Sequence, residues 1–382
     1  MDTLDYLRTD LAYIAFDVCA LTLALIALSR NAYTAVSAIL LMFLTIKLTV
    51  IVGMRPLSAG NDTLPYYRTF QAIEGVGNAR DVGASYYGNT ELLYWPSAAV
   101  FKWFSDEFTL FLTLSILASA ALVYFGNRGL AAIGTQHSGV AVGAIAALMT
   151  YLAFMTYEIA YFGGHIRAAI GVPLVLLSFY FATRRKLILA ALFFLIGLGY
   201  HNSSISVLPL LLFQLAFPHL KRSRRNTALL IVSLVLAFLI GQFGQLGNIL
   251  ELLGGFYYDR YIDYFEYTGF NITSVFQTTF FWIILAHIVL FLLLGYREIH
   301  IYAFYYMFLV LLFSSTPKIS ERYFAFILLC LPLLLFISVR ERFREGTSIV
   351  LVVAFYLAIG LLAVTSQGLL STLGLTSILL RR

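Results

Sequence analysis

Long apolar stretches separated by short polar turns recur along the whole chain. They predict helices near 11–29, 35–54, 108–126, 139–157, 166–183, 187–199, 203–217, 227–246, 275–295, 300–314, 320–338 and 347–366. A helix that crosses a bilayer needs about 20 apolar residues, and several of these stretches are shorter, so they need tilt or local thinning. The pair 187–199 and 203–217 is the clearest case, broken by His201-Asn202-Ser203-Ser204, an interruption expected to be recessed below the membrane surface. Broken backbone at membrane depth is tolerated where it lines a cavity or packs in protein. The pattern therefore predicts an all-α polytopic membrane protein of about 12 transmembrane helices, some short or broken. It forms one integral membrane domain over 1–382, with outer loops at 55–107 and 247–272. Inside the first loop, Glu91–Phe104 is aromatic-rich and too short to span, which predicts a re-entrant or interfacial helix.

Composition agrees with a membrane chain: 61% of residues are hydrophobic and 12% charged, against about 25% charged in a soluble domain. The net charge of +6 calls for no nucleic acid, because the cations sit mostly in short loops, where they set topology. Three basic turns, Arg184–Lys186, Lys221–Arg225 and Arg340–Arg344, each join an odd-numbered helix to the next even one. Placing them in the cytoplasm puts both termini outside, together with Glu158–Arg167, His201–Ser204 and Pro317–Arg322. Loop 55–107, with six acids against four Lys or Arg, falls on the same side. Acidic residues precede the first apolar run, so no cleavable signal peptide is expected. Cys19 and Cys330 read as small core residues without a disulfide. The run 256–267 alternates aromatics with acids and reads as an interfacial belt or as a sugar-stacking surface.

Ionisable groups at membrane depth are costly and mark functional sites by default. Arg167 and Arg322 fall at predicted helix starts, where a cation opposes its own helix dipole and wants an anionic partner. With Gly163-Gly164 and Lys318 they suggest a cradle for a diphosphate. The bland alternative is ion pairing of Arg167 with Glu158 and of Arg322 with Glu321, or snorkelling. His201 is a candidate general base, since imidazole titrates near neutrality, or else a hinge residue beside an Asn/Ser cap. Asn202, Ser203 and Ser204 can supply that cap. His165 and Glu158 are weaker substrate-side candidates. Asp62 serves either an Asx turn before Pro65 or the substrate. Glu74, Glu91 and Asp106 read as solvated loop residues. No metal-ligand spacing, P-loop, nucleophile elbow or dinucleotide fingerprint is present, so no cofactor is implied.

Four motifs in order carry a family resemblance: G-N-D-T-L-P-Y-Y-R-T-F (60–70), Y-F-G-G-H-I-R-A-A-I (161–170), G-Y-H-N-S-S (199–204) and S-E-R-Y-F (320–324). Together they span about residues 35–340, and the chain resembles the EpsG-like branch of the Wzy-type polysaccharide polymerases. One departure is Ala168, where the family pattern has a Gln after the arginine. The resemblance implies a GT-C-like glycosyltransferase of the bacterial inner membrane. It would join repeat units carried on undecaprenyl diphosphate at the periplasmic face, without bound metal or nucleotide sugar. Its partners would be lipid-linked glycan donor and acceptor, the lipid bilayer, and a flippase and chain-length regulator. Arg167 and Arg322 carry over as diphosphate binders and His201 as the base. Asp62, His165, Lys318, Asn202 and Glu158 form the substrate-binding set. An O-antigen ligase, a lipid-linked-sugar GT-C enzyme and a flippase are the competing readings. A flippase would show inverted repeats and charges at mid-depth or on both faces.

Overall fold

The computed structural model describes residues 3–53, 63–87, 91–135, 139–155, 166–216, 223–242, 279–314 and 317–365. The expectations for Asp62, Glu158, His165, Gly163-Gly164 and the 247–272 loop lie outside these residues. The described chain is helical: α1 Thr3–Ser29, α2 Tyr33–Gly53, α3 Thr63–Ala72, α4 Val76–Tyr87, α5 Tyr94–Lys102, α6 Phe108–Thr135, α7 Gly139–Ala153 and α8 Ile166–Thr183. Then follow α9 Leu187–Tyr200, α10 Leu208–Ala216, α11 Arg224–Gln242, α12 Thr279–Leu294, α13 Ile301–Leu312, α14 Pro317–Leu328, α15 Leu331–Arg340 and α16 Glu345–Thr365. By length and apolarity, Tyr33–Val50 and Phe108–Thr135 can cross a membrane alone. The expected single helix 320–338 is instead a pair, Arg322–Leu328 and Leu331–Arg340, bent by 48°. In the other apolar helices the stretches whose side chains are described have 10–17 residues, about 15–26 Å at 1.5 Å per residue, less than the hydrocarbon core of about 30 Å. The described residues thus give two or three clear spans and a set of shorter apolar helices, which do not by themselves establish a count of twelve.

The bend between α14 and α15 has a local cause. Pro332 sits in the first turn of α15 and cannot donate a backbone hydrogen bond. Asn127 of α6 donates its amide to the Leu329 carbonyl at 3.0 Å and to Thr150 Oγ1 of α7 at 3.1 Å. One buried side chain thus binds three elements at the point where the ladder is interrupted. Cys330, at this break, is buried, whereas Cys19 is exposed on α1 instead of packed in the core.

The first outer loop folds into α3, α4 and α5. Lys102, closing α5, donates to the carbonyls of Phe70 (3.3 Å), Gln71 (3.2 Å) and Ile73 (2.6 Å), a cation placed on the carbonyl end of α3. Tyr94, Trp95, Ala98 and Ala99 are buried, while Trp103 and Phe104 are exposed. The predicted helix at 91–104 is therefore present, and one face of it packs into protein. At the opposite end of the molecule, arginines close α6. Arg297 Nη1 donates to Gly134 O at 2.7 Å and Arg340 Nη1 to Thr135 O at 2.5 Å, while Glu341 pairs with Arg297 Nε at 2.5 Å.

Candidate functional site

Helices α8 and α9 form an antiparallel hairpin whose turn is Arg184-Arg185-Lys186, with Arg185 in the left-handed region (φ 58°). The two helices cross at glycines. A Cβ on Gly171 would lie 2.5 Å from His201 Cβ and 3.1 Å from the Gly197 carbonyl. Only a residue without a side chain lets the backbones approach this closely, and the approach presses His201 against α8. The helix ends there because His201 is extended (φ −151°). Its N–H bonds Gly197 O at 2.9 Å, and its carbonyl accepts from Ser204 N at 2.9 Å, opening the 3-10 turn Asn202–Val207. The break is thus closed by backbone bonds, not by the side-chain caps expected from Asn202, Ser203 and Ser204: among the described residues the turn has no side-chain cap, and Ser204 Oγ is buried with no hydrogen-bond partner.

The same helix end receives the start of α5. Leu93 N–H donates to Gly199 O at 2.9 Å, and a Cβ on Gly199 would lie 2.7 Å from the Leu93 side chain. This docking carries Glu91 inward until it is 2% exposed. Glu91, read from sequence as a solvated loop residue, is instead the buried partner of Arg167. Its Oε2 accepts from Arg167 Nη1 at 2.6 Å. Tyr66 of α3 accepts a short hydrogen bond from Arg167 Nε and stacks on Trp95 with ring centroids 5.7 Å apart. Arg167, second residue of α8, thus has its guanidinium plane fixed by two elements of the outer loop. The described partner of Arg167 is Glu91, and the expected one, Glu158, lies outside the described residues.

His201 completes the cluster. Its Nδ1 stands 3.8 Å from Glu91 Oε1, longer than a hydrogen bond yet within ion-pair reach. Both ring nitrogens are buried and neither has a hydrogen-bond partner among the described residues. Burial alone would push the Glu91 carboxyl up, but the adjacent His201 ring and the Arg167 charge outweigh it and hold the carboxyl below its ordinary value. Arg322 is close enough for its charge to act on the His201 ring. It lies in the second turn of α14, not at the helix start as expected, because α14 begins at Pro317. Lys318 is in the first turn, with its side chain outside the described set, and Asn202 opens the 3-10 turn beside His201. The fold thus gathers Arg167, His201 and Arg322, three residues drawn from separate sequence motifs.

Two participants were not singled out from sequence. Tyr66 lies within the 60–70 motif, and the one signal that could have pointed to Glu91 is its place at the head of an aromatic stretch too short to span. A model of the EpsG family matches residues 38–373. The chain belongs to the EpsG family. That match takes in Tyr66, Glu91, Arg167, His201 and Arg322, and it extends beyond the last of the four motifs. Comparison with curated proteins and with solved structures gives no match. Membership in the EpsG family points to a polysaccharide-polymerase type of function and, with the apolar helices, to a membrane protein.

A second buried charge cluster lies away from this site. Lys47 of α2 donates to both oxygens of Asp17 of α1 at 2.8 Å, and Tyr151 of α7 donates to Asp17 Oδ1 at 2.6 Å. Both charged residues are 4% exposed. Each sits inside an apolar run, the sequence signal that could have marked them.

Proposed function

We propose that this EpsG-family protein is a GT-C-type glycosyltransferase that polymerises undecaprenyl-diphosphate-linked oligosaccharide repeats on the outer face of the bacterial inner membrane. The observation that carries this reading is His201: buried ring nitrogens without hydrogen-bond partners among the described residues, beside a carboxylate and under the charge of two arginines. A buried polar group left unpaired is costly and needs a reason, and a reacting hydroxyl supplies one. The Glu91 carboxylate, 3.8 Å from Nδ1, favours the tautomer that carries its proton there and leaves the Nε2 lone pair to act. Nε2 takes the proton of an acceptor sugar hydroxyl as its oxygen bonds to the donor's anomeric carbon. The bond from that carbon to the lipid diphosphate breaks, and the diphosphate leaves with the electron pair. Arg167 and Arg322, with Lys318, meet the charge that develops on the leaving group, an electrostatic role that needs donors held in place beforehand. Asp62, His165, Glu158 and Asn202 are assigned to the sugars.

The orientation rests on the basic turns. Arg184–Lys186 closes the end of α8 opposite Arg167, which supports reading that turn as cytoplasmic and the Glu91 site as facing outward. The test is a purified assay with lipid-linked repeats, read as a ladder of polymer on a gel. His201→Gln should insert and accumulate normally yet polymerise about 100-fold or more slowly. In the wild type the rate should fall once acid protonates the ring and removes the lone pair. A His201→Gln variant that makes polymer at the wild-type rate removes the histidine from the mechanism.

A further inference from the structure

At the end of the molecule opposite the Glu91 site, α6 and α8 part to leave a groove of about 720 Å³, bounded also by the start of α7 and by α9. Its size lies within the range of about 300–1,000 Å³ typical of ligand sites. The residues α6 contributes, Leu122, Phe125, Arg128, Gly129 and Ala132, recur at helical spacing and form one face. Those from α8, Leu177, Tyr180 and Phe181, with Arg184 just past its end, do the same. Along both helices the order is alike: apolar side chains toward the middle of the bundle, then an arginine toward its end.

The apolar part is open and aromatic. Phe125 is 55% exposed, and Phe181 stacks on Phe193 at 5.2 Å with the rings 11° apart. The helices are held at fixed separation just below it, because a Cβ on Gly129 would lie 2.6 Å from the Tyr180 ring. The arginines differ from the others at this end of the molecule. Arg297 and Arg340 spend their guanidinium groups on helix carbonyls and on Glu341 and Glu345. Among the described residues, the side chains of Arg128 and Arg184 make no hydrogen bond or ion pair and no acidic residue lines the groove. Two exposed cations at one end of an open apolar trough match a ligand with a phosphate head and a hydrocarbon tail lying along the helices.

We infer that this groove binds an anionic phospholipid of the leaflet on the basic-turn side, with its phosphate between Arg128 and Arg184 and an acyl chain against Phe125, Phe181 and Phe193. Such a site is separate from the Glu91 cluster. It would tie the α6–α8 pair, and hence the position of Arg167 at the far end of α8, to the lipid around it.

The test uses the full-length protein in neutral detergent, titrated with phosphatidylglycerol or with phosphatidylcholine of identical chains, and bound lipid counted by native mass spectrometry. At roughly 1 kcal/mol per arginine, the wild type should favour phosphatidylglycerol by about 10- to 30-fold. Arg128→Gln with Arg184→Gln should bring the two lipids within about threefold of each other. The Arg128→Lys/Arg184→Lys pair, which keeps both charges, should retain the preference and so controls for folding. Phe125→Ala should weaken both lipids and leave their ratio unchanged. The inference is overturned if the Gln pair keeps the wild-type preference, or if the wild type has none. It is overturned also if millimolar inorganic phosphate displaces the lipid, which would make this a site for the free anion.

Discussion

Among the described residues, two clusters of cation, carboxylate and tyrosine are buried, and they are built to different ends. In the first, Lys47 donates to both oxygens of Asp17 while Tyr151 donates to one of them. The Lys47 ammonium also approaches the Met155 carbonyl at 3.5 Å and lies 5.7 Å from the Tyr151 ring centroid. Each charge is matched inside the cluster, which joins α1, α2 and α7. In the second, Arg167 grips one Glu91 oxygen and Tyr66, while the other Glu91 oxygen faces a histidine whose two nitrogens find no hydrogen-bond partner among the described residues. The Arg167 side chain keeps 18% of its surface and His201 keeps 13%, against 2% for Lys47. A saturated buried ion pair is an anchor, whereas one left with unmet polar capacity at its open edge is equipped to receive something.

The harshest way to break this comparison is to remove one half of the saturated pair. Lys47→Met leaves the Asp17 carboxylate buried and unpaired, a cost of about 3–5 kcal/mol against a total stability of about 5–15 kcal/mol. Little folded protein should accumulate in membranes, and normal accumulation would show that Asp17 finds water or another partner. Arg167→Lys strikes the open cluster differently. The charge remains but the planar fork held by Glu91 and Tyr66 is lost. We expect normal protein levels and a polymerisation rate lower by about 100- to 1,000-fold, the scale for losing a preorganised donor. Full activity in the Lys variant would demote Arg167 to a structural ion pair.

A smaller effect is expected at Tyr66. Tyr66→Phe keeps the ring stacked on Trp95 and removes only the hydroxyl that fixes Arg167 Nε, so the rate should fall about tenfold with little change in melting temperature. A change in stability alone would place Tyr66 outside the site. The smallest effect concerns pH. The Glu91 carboxyl is held below its ordinary 4.5 in the folded protein, so it contributes stability above that value and loses it as pH falls through the folded one. The melting temperature of the wild type should therefore decline in the acid range, below about pH 4.5, more steeply than that of Glu91→Gln. Parallel acid profiles would contradict the assignment of Glu91 as a charged buried partner.

Much of the fold was legible because hydrophobic runs report helices directly. The α8–α9 hairpin, the short helix at 94–102 and the interruption at His201 all fall where the residue pattern puts them. The bend between α14 and α15 was missed because Cys330 and Pro332 sit in an unbroken apolar run, and the amide that supports it, Asn127, comes from α6. Of the site, Arg167, His201 and Arg322 were readable as ionisable groups in or beside apolar segments. Glu91 was not, because its burial depends on Leu93 docking against Gly199, a contact between segments about a hundred residues apart. Asp17 and Lys47 escaped attention for a related reason: each is a lone charge in its own run, and only packing of α1 on α2 brings them together.

The central claim is that the charges of the Asp17–Lys47 pair serve only each other, while the Glu91–Arg167–His201 cluster does the chemistry. A single assay sets the two against each other: equal amounts of purified Asp17→Leu/Lys47→Met and His201→Gln proteins, given the same lipid-linked repeats. Replacing both members of a buried pair by apolar residues of similar volume is often neutral, so the first protein should polymerise at close to the wild-type rate. The second should be about 100-fold or more slower. The reverse outcome, a folded but inactive double variant beside an active His201→Gln, would contradict the account and move the chemistry to the cluster at Asp17.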